Sequence, residues 1–332
     1  MANMSATKDR QEEANGPELS VVIVVGGQRQ RAAAALRSLL DQRAIDRMEI
    51  LLFDLESDEC PPLAGSENHR VRTNRCGPKF LLGRARAEGV RTANAPVVAF
   101  LEEHCLAQPG WAEAMILAHR GPWAAVGCEF MCANPNSGSS DKTFRMTYGA
   151  YVHAEQQRGP VTFVAGQNSA FKRDVLLQYD EQLEMMMIAD LVLQWKMMED
   201  GYRFFHEPAA MIAHRNENTV LSICPGAFYW NWCFANVRAQ VFEWSFGWKA
   251  LRIALAPLIP WARLVKKAML VAHLGRRQFL QFLCDIPSVL VIDYCGAAGQ
   301  VAGLFNKIDI AARKFSHFEM NEPRLSRSDL VR

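Results

Sequence analysis

The segment Val97-Val98-Ala99-Phe100-Leu101-Glu102-Glu103-His104 constrains the chain more than any other. Apolar residues run straight into two carboxylates and an imidazole, followed by Cys105 and a Pro109-Gly110 turn. Such a run predicts a buried strand, and open α/β sheets bind ligands outside the carboxyl ends of their strands. Glu and His delivered to that edge suit metal ligation or proton transfer. Alone, they suit equally well a strand that ends in solvent.

The flanking sequence repeats the pattern. Leu19 to Val25 is a β-branched run that reads as a buried parallel strand. Gly26-Gly27 ends it, where the backbone must turn tightly or let a ligand approach. Ala32 to Leu40 reads as a helix with Leu36, Leu39 and Leu40 on one face. Met48 to Asp54 is a second strand, and Asp54 at its end suits a ribose or base contact, or plain turn chemistry. Gly77 to Ala93 reads as an Ala-rich helix whose Arg84, Arg86 and Arg91 either face phosphate oxygens or form a solvated basic face.

Downstream, Trp123 to Gly127 is a predicted strand, and Asn134 to Asp141 a polar loop placed as an acceptor-side flap. A strand from Val161 meets Gly166, Gln167 and Asn168, whose amides donate to and accept from hydroxyls. Asp180 to Gly201 contains the clearest helix, with Ile188, Leu191, Val192, Trp195 and Met198 in an apolar stripe. Asp190 and Gln194 fall on its other side. Two strands follow, Tyr202 to Phe205 and Ala209 to Ala213, and His214 closes the second.

In this order the motifs resemble the nucleotide-sugar half of a family 2 glycosyltransferase with the GT-A fold. Asp54 matches the family's nucleoside acid, Ala85-Arg86-Ala87-Glu88-Gly89 its Ala-Arg-Asn-x-Gly helix, and Glu102-Glu103-His104 its Asp-rich metal motif. Ala87 replaces the family's Asn, and Glu and His replace its Asp residues. The resemblance implies an α/β fold, a Rossmann-like mixed sheet flanked by helices. It also implies a nucleotide-diphosphate sugar donor contacted by Val25, Gly26, Asp54, Arg86, Gly166, Gln167 and Asn168. Glu102 and His104 would hold Mg²⁺ or Mn²⁺, with Glu103 and His214 as further candidates; both ions take oxygen ligands and Mn²⁺ also accepts imidazole. Asp190 would be the base of an inverting transfer, and His214 with Arg215 a pyrophosphate contact. The same departures equally fit a catalytically silent nucleotide-sugar-binding or scaffold protein.

The 332 residues are 50% hydrophobic and 22% charged, as in a folded chain with a sizeable core. A net charge of +2 gives no case for nucleic acid binding. Nine scattered cysteines without Cys-x-x-Cys spacing argue against a disulfide framework or a structural zinc site. A complete Gly-x-Gly-x-x-Gly fingerprint does not follow the first strand, which excludes a Rossmann dehydrogenase. The expected domains are a disordered leader over 1–18, a catalytic domain over 19–240 and a mostly α-helical region over 241–332. That last region interleaves aromatic residues with Arg and Lys, and Pro257 and Pro260 break its first helix in two. It suits either an interfacial helix on anionic lipid or helices packed on the catalytic domain. The acceptor is expected to be a glycan or lipid-linked, and the location cytoplasmic or peripheral at the inner face of a membrane. Oligomeric state is not legible.

Overall fold

The computed structural model describes residues 16–135, 139–153, 157–217, 219–272 and 275–321. Of the expected leader, residues 1–15 lie outside the described residues, as do 136–138 of the polar loop. Glu18 is in place, ion-paired with Arg47 at 2.5 Å.

Strands β1 (Leu19–Val25), β2 (Met48–Asp54) and β3 (Val71–Arg75) pair in parallel, and β4 (Val97–Phe100) lies parallel on the other side of β1. Every residue of β1, β2 and β4 is buried, as their unbroken apolar runs require. The register sets Val25 beside Asp54 and Val22 beside Phe100. The sheet then becomes mixed. β8 (Ala170–Lys172) runs antiparallel between β4 and β6 (Ala125–Cys132), and β9 (Phe204–His214) is parallel to β6. β5 (Cys105–Ala107) and β7 (Gly159–Val161) both pair antiparallel with β9. The order is β3-β2-β1-β4-β8-β6-β9-β5. The chain leaves β1 for β2 on one side and later returns to β4 on the other, so the topological switch point opens at the ends of β1 and β4.

Alternation along β1 sends Val22 and Val24 to one face and Val21, Ile23 and Val25 to the other. The second face packs on α1 (Arg29–Leu40) and α3 (Trp111–Ala118). The first packs on α2 (Leu82–Thr92), α6 (Asp180–Met186) and α7 (Asp190–Glu199). The span 180–201 holds two helices, broken at Met187–Ala189, and the expected apolar stripe starts in that break at Ile188. Gln194 is not a surface residue: it is fully buried, and its amide pairs with both backbone groups of Val164 at 2.8 and 3.0 Å. The two strands expected over 202–213 form one, β9, whose register against β6 shifts at Cys128/Glu129.

α4 (Ser140–His153) and α5 (Arg173–Leu177) complete the sheet's flanking helices. The rest of the chain is helical: α8 (Val220–Val241), α9 (Phe246–Leu255), α10 (Ile259–Ala272), α11 (Arg276–Phe305) and α12 (Ile308–Asn321). The break at Pro257 and Pro260 falls where expected, as a 3₁₀ turn over Ala256–Leu258. Two glycines of α11 serve its packing. A Cβ at Gly299 or Gly303 would lie 2.1 or 2.3 Å from the Phe228 or Trp232 carbonyl, so their absence lets α11 lie against α8. Ala311, Ala312, Phe315 and Met320 of α12 join the first face's core. By length and composition α11 is long and apolar enough to cross a membrane.

Candidate active site

β4 stops at Phe100, and the chain turns through Leu101–His104, closed by the Cys105 N–H donating to the Glu102 carbonyl at 2.9 Å. Glu102 and His104 thus converge through a turn, not along an extended segment. Glu102 Oε2 lies 3.4 Å from His104 Nε2 and 3.8 Å from Nε2 of His214, at the end of β9. The two Nε2 atoms are 3.0 Å apart, and the rings meet edge to face at 87°.

Second partners fix the tautomers. His104 Nδ1 lies 3.1 Å from Glu103 Oε2, a carboxylate that only accepts. His214 Nδ1 lies 2.8 Å from Asn216 Oδ1, an amide oriented by its Nδ2 donating to the His214 carbonyl and Cys132 Sγ. Both Nδ1 atoms therefore carry protons, and in neutral rings both Nε2 atoms present lone pairs. Two lone pairs at 3.0 Å repel unless a proton or metal ion lies between them. The point equidistant from both Nε2 atoms and Glu102 Oε2 is about 2.0 Å from each, the length of a Zn–N, Zn–O or Mg–O bond. The residues fit a divalent cation. Cys105 Sγ is the fourth candidate donor, all four lying within 4.8 Å of one another.

Glu103 is fully buried between Arg31 and His104, behind the cluster. It accepts from Arg31 Nε at 2.8 Å and from the same guanidinium's NH2. Arg31–Glu103–His104 is the relay that commonly orients a metal-binding imidazole. Tyr148 caps the cluster: its hydroxyl is 3.5 Å from Glu102 Oε2, and its ring lies 4.2 Å from that of His214. Arg31, Tyr148 and Asn216 escape a reading of the sequence. Each acts across a long sequence separation or through a loop, and none sits in a motif. Arg215 is half-buried, its backbone N–H donating to the His104 carbonyl at 3.2 Å, and burial together with the Arg31 charge lowers its guanidinium pKa.

The turn Gly166–Asn168 ties the cluster to Asp190. Asn168 is fully buried; its Nδ2 donates to Glu102 Oε2 at 2.6 Å and its Oδ1 accepts from the Glu102 N–H at 3.1 Å. Gly166 N–H donates to Asp190 Oδ2 at 3.0 Å, and a Cβ at Gly166 would lie 2.5 Å from that oxygen. Between them, Gln167 faces a cavity of about 350 Å³ shared with Glu102, His214, Arg86 and Asp190. Burial raises the Asp190 carboxyl above its ordinary range, opposed by the Arg86 charge and the Gly166 N–H. Arg86 is held by the Met187 carbonyl at 3.1 Å.

The expected nucleoside end is separate. Asp54 Oδ1 accepts from Arg29 at 2.9 Å and from the Glu56 N–H, while Oδ2 is buried with no hydrogen-bond partner. Val25 is buried, and Gly26 and Gly27 lie under the end of α12. Asn321 Oδ1 accepts from the Gly27 N–H at 3.0 Å, and a Cβ on Gly26 would come within 2.5 Å of Met320 Cβ. Val25, Gly26 and Asp54 do not line the cavity that holds Asp190.

Comparison with known proteins agrees with this architecture. Residues 20–179 match the family described as Glycosyl transferase family 2. The mannosyltransferase PcManGT from Pyrobaculum calidifontis, solved in complex with GDP-Man and Mn²⁺, superposes with a TM-score of 0.56. The match covers 87% of this chain and 88% of that one at 15% identity, a likeness of fold. The sequence matches no curated protein.

Proposed function

Since the chain carries a glycosyl transferase family 2 domain on the GT-A fold, we propose that it moves a hexose from a nucleotide-diphosphate sugar to an acceptor hydroxyl, inverting the anomeric carbon with the aid of a divalent cation. The Gly166–Asn168 turn carries this reading. Its first residue holds Asp190, its last holds Glu102, and the side chain between them faces their common cavity. A base and a cation site are thereby fixed to one rigid piece of backbone.

Glu102, His104 and His214 would hold the cation, and two imidazoles favour Mn²⁺ over Mg²⁺. When bound, it offsets charge on the departing diphosphate. Asp54 Oδ2 is free to accept from the nucleoside, and Arg86 offers its guanidinium to phosphate oxygens. The acceptor oxygen bonds to the anomeric carbon as the carbon–oxygen bond to the diphosphate breaks, and the acceptor proton passes to Asp190. Burial makes Asp190 a better base than a solvated aspartate, and Arg86 favours its ionised form.

We place the protein at the cytoplasmic surface of a membrane. Exposed Phe246, Trp248 and Trp261 on α9 and α10, beside Lys249 and Lys266, support this placement. One observation favours a silent binding or scaffold protein: α12 rests on Gly26 and Gly27, where the nucleotide would sit. Incubation with a panel of nucleotide sugars and Mn²⁺ separates the readings. Slow hydrolysis of one donor, lost in Asp190→Asn, supports the enzyme; nucleotide binding without hydrolysis of any donor supports the silent protein.

A further inference from the structure

α10 is inverted for a helix facing water. Leu258, just before it, and Trp261, Val265 and Met269 within it are 60, 51, 59 and 65% exposed. Its cations Arg263 and Lys267, one turn apart, face inward and line the cavity that contains Asp190 and Glu102. There they share a single carboxylate. Asp293 of α11, 4% exposed, takes Lys267 Nζ at 3.0 Å on one oxygen and Arg263 at 3.5 Å on the other. Arg263 also donates to Asn231 Oδ1 at 3.2 Å, which accepts from Gln300 at 2.9 Å. Gly296 makes the room: a Cβ there would be 2.8 Å from Asn231 Nδ2 and 3.3 Å from the guanidinium.

Two cations against one acid leave a local positive charge at Arg263 and Lys267, in a cavity lined also by Ile223, Trp230, Val289, Ile292 and Phe318 and by the acids Glu102, Asp190, Glu217 and Glu319. A structural ion pair needs one partner for Asp293. The second cation is surplus to packing, and both cations remain a third exposed. We infer that Arg263 and Lys267 form the acceptor's anion subsite, and that the acceptor is an amphiphile carrying a phosphate or diphosphate group. Its hydroxyl would reach Asp190, its phosphate the two cations, and its chain the apolar wall. The outward face of α10 would rest on the lipid that supplies it. The donor's charge is met elsewhere, by Arg86 and the Glu102 cluster, which leaves these cations to the acceptor. The inference rests on the transferase reading for the identity of the acceptor, but not for the existence of the subsite.

Calorimetry with dodecyl phosphate below its micellar concentration tests it on the full chain. Dodecyl phosphate binds the wild type, and Lys267→Gln weakens it by about 10-fold, the cost of one charged hydrogen bond. Asp293→Asn tightens it, because the internal competitor for both cations is neutralised; a merely structural ion pair predicts only loss of stability there. Equal affinity in all three proteins would overturn the subsite. Inorganic phosphate binding as tightly as dodecyl phosphate would overturn the amphiphile. Guanosine or uridine diphosphate binding with Mn²⁺ is measured on the same proteins. Its survival in Lys267→Gln assigns the cations to the acceptor, and its loss there overturns that assignment. Failure of nucleotide binding in the wild type counts against the transferase alone.

Discussion

Gly166→Ala is the sharpest probe of Asp190. The added Cβ would sit 2.5, 2.7 and 3.0 Å from Oδ2, Cβ and Cγ of Asp190. Because Asp190 Cβ is among the crowded atoms, rotating the carboxylate does not relieve the contact; the start of α7 must retreat. Regaining ordinary contact takes about 1 Å, which breaks the 3.0 Å bond from the Gly166 N–H. A displacement of that size costs on the order of 10²-fold in rate. Overpacking should destabilise the fold by about 1–3 kcal/mol, a melting shift of a few degrees. Glu102 is held by Asn168, and His104 and His214 meet Glu102 and each other, so the cation site should survive. The assay is kcat for donor turnover at saturating donor, paired with Mn²⁺ calorimetry. An unchanged kcat, or a loss of Mn²⁺ affinity as large as the loss of rate, would refute the assignment of Asp190.

Asn168→Ala removes both hydrogen bonds that hold Glu102 and should weaken Mn²⁺ by about 10–100-fold, as loss of a supporting partner does, read by calorimetry. Asp190→Asn should abolish turnover yet raise the melting temperature at neutral pH. A carboxyl whose pKa is higher folded than unfolded destabilises the fold once it ionises, and that cost is relieved progressively as pH falls from the raised value to the ordinary aspartate range. For the same reason, turnover should fall on acidification at a pH above the ordinary aspartate range. Gly26→Ala should push Met320 off the loop and accelerate amide exchange across Ile308–Asn321, measured by mass spectrometry.

Much of this site was legible in the order of the chain, and its limits have physical causes. β1 and β2 were readable because an uninterrupted apolar run has few alternatives to a buried strand. Glu102 and Asp190 were legible as groups beside a cavity because a strand end and a helix start carry them there, whereas His104, at the same strand end, is buried beside Glu102. The ends of elements were not: β4 stops at Phe100 because Leu101 begins the turn, a choice made by hydrogen bonds to Val22 and Ser169. Asn168, grouped by its motif with sugar-facing residues, is fully buried against Glu102. Arg31, Tyr148 and Asn216 are recruited from distant segments, and no local pattern announces such partners. Asp293 stands in an otherwise apolar stretch of the sequence, and its partners Arg263 and Lys267 lie about one helix earlier, beyond any local pattern.

Nucleotide binding with and without Mn²⁺ tests the central claim most directly. Calorimetry with guanosine and uridine diphosphate should show at least one bound more tightly with Mn²⁺, by 10-fold or more, roughly the worth of one charged contact. Glu102→Ala should erase that difference. Metal-insensitive binding in the wild type, together with no hydrolysis of any nucleotide sugar, would contradict the account.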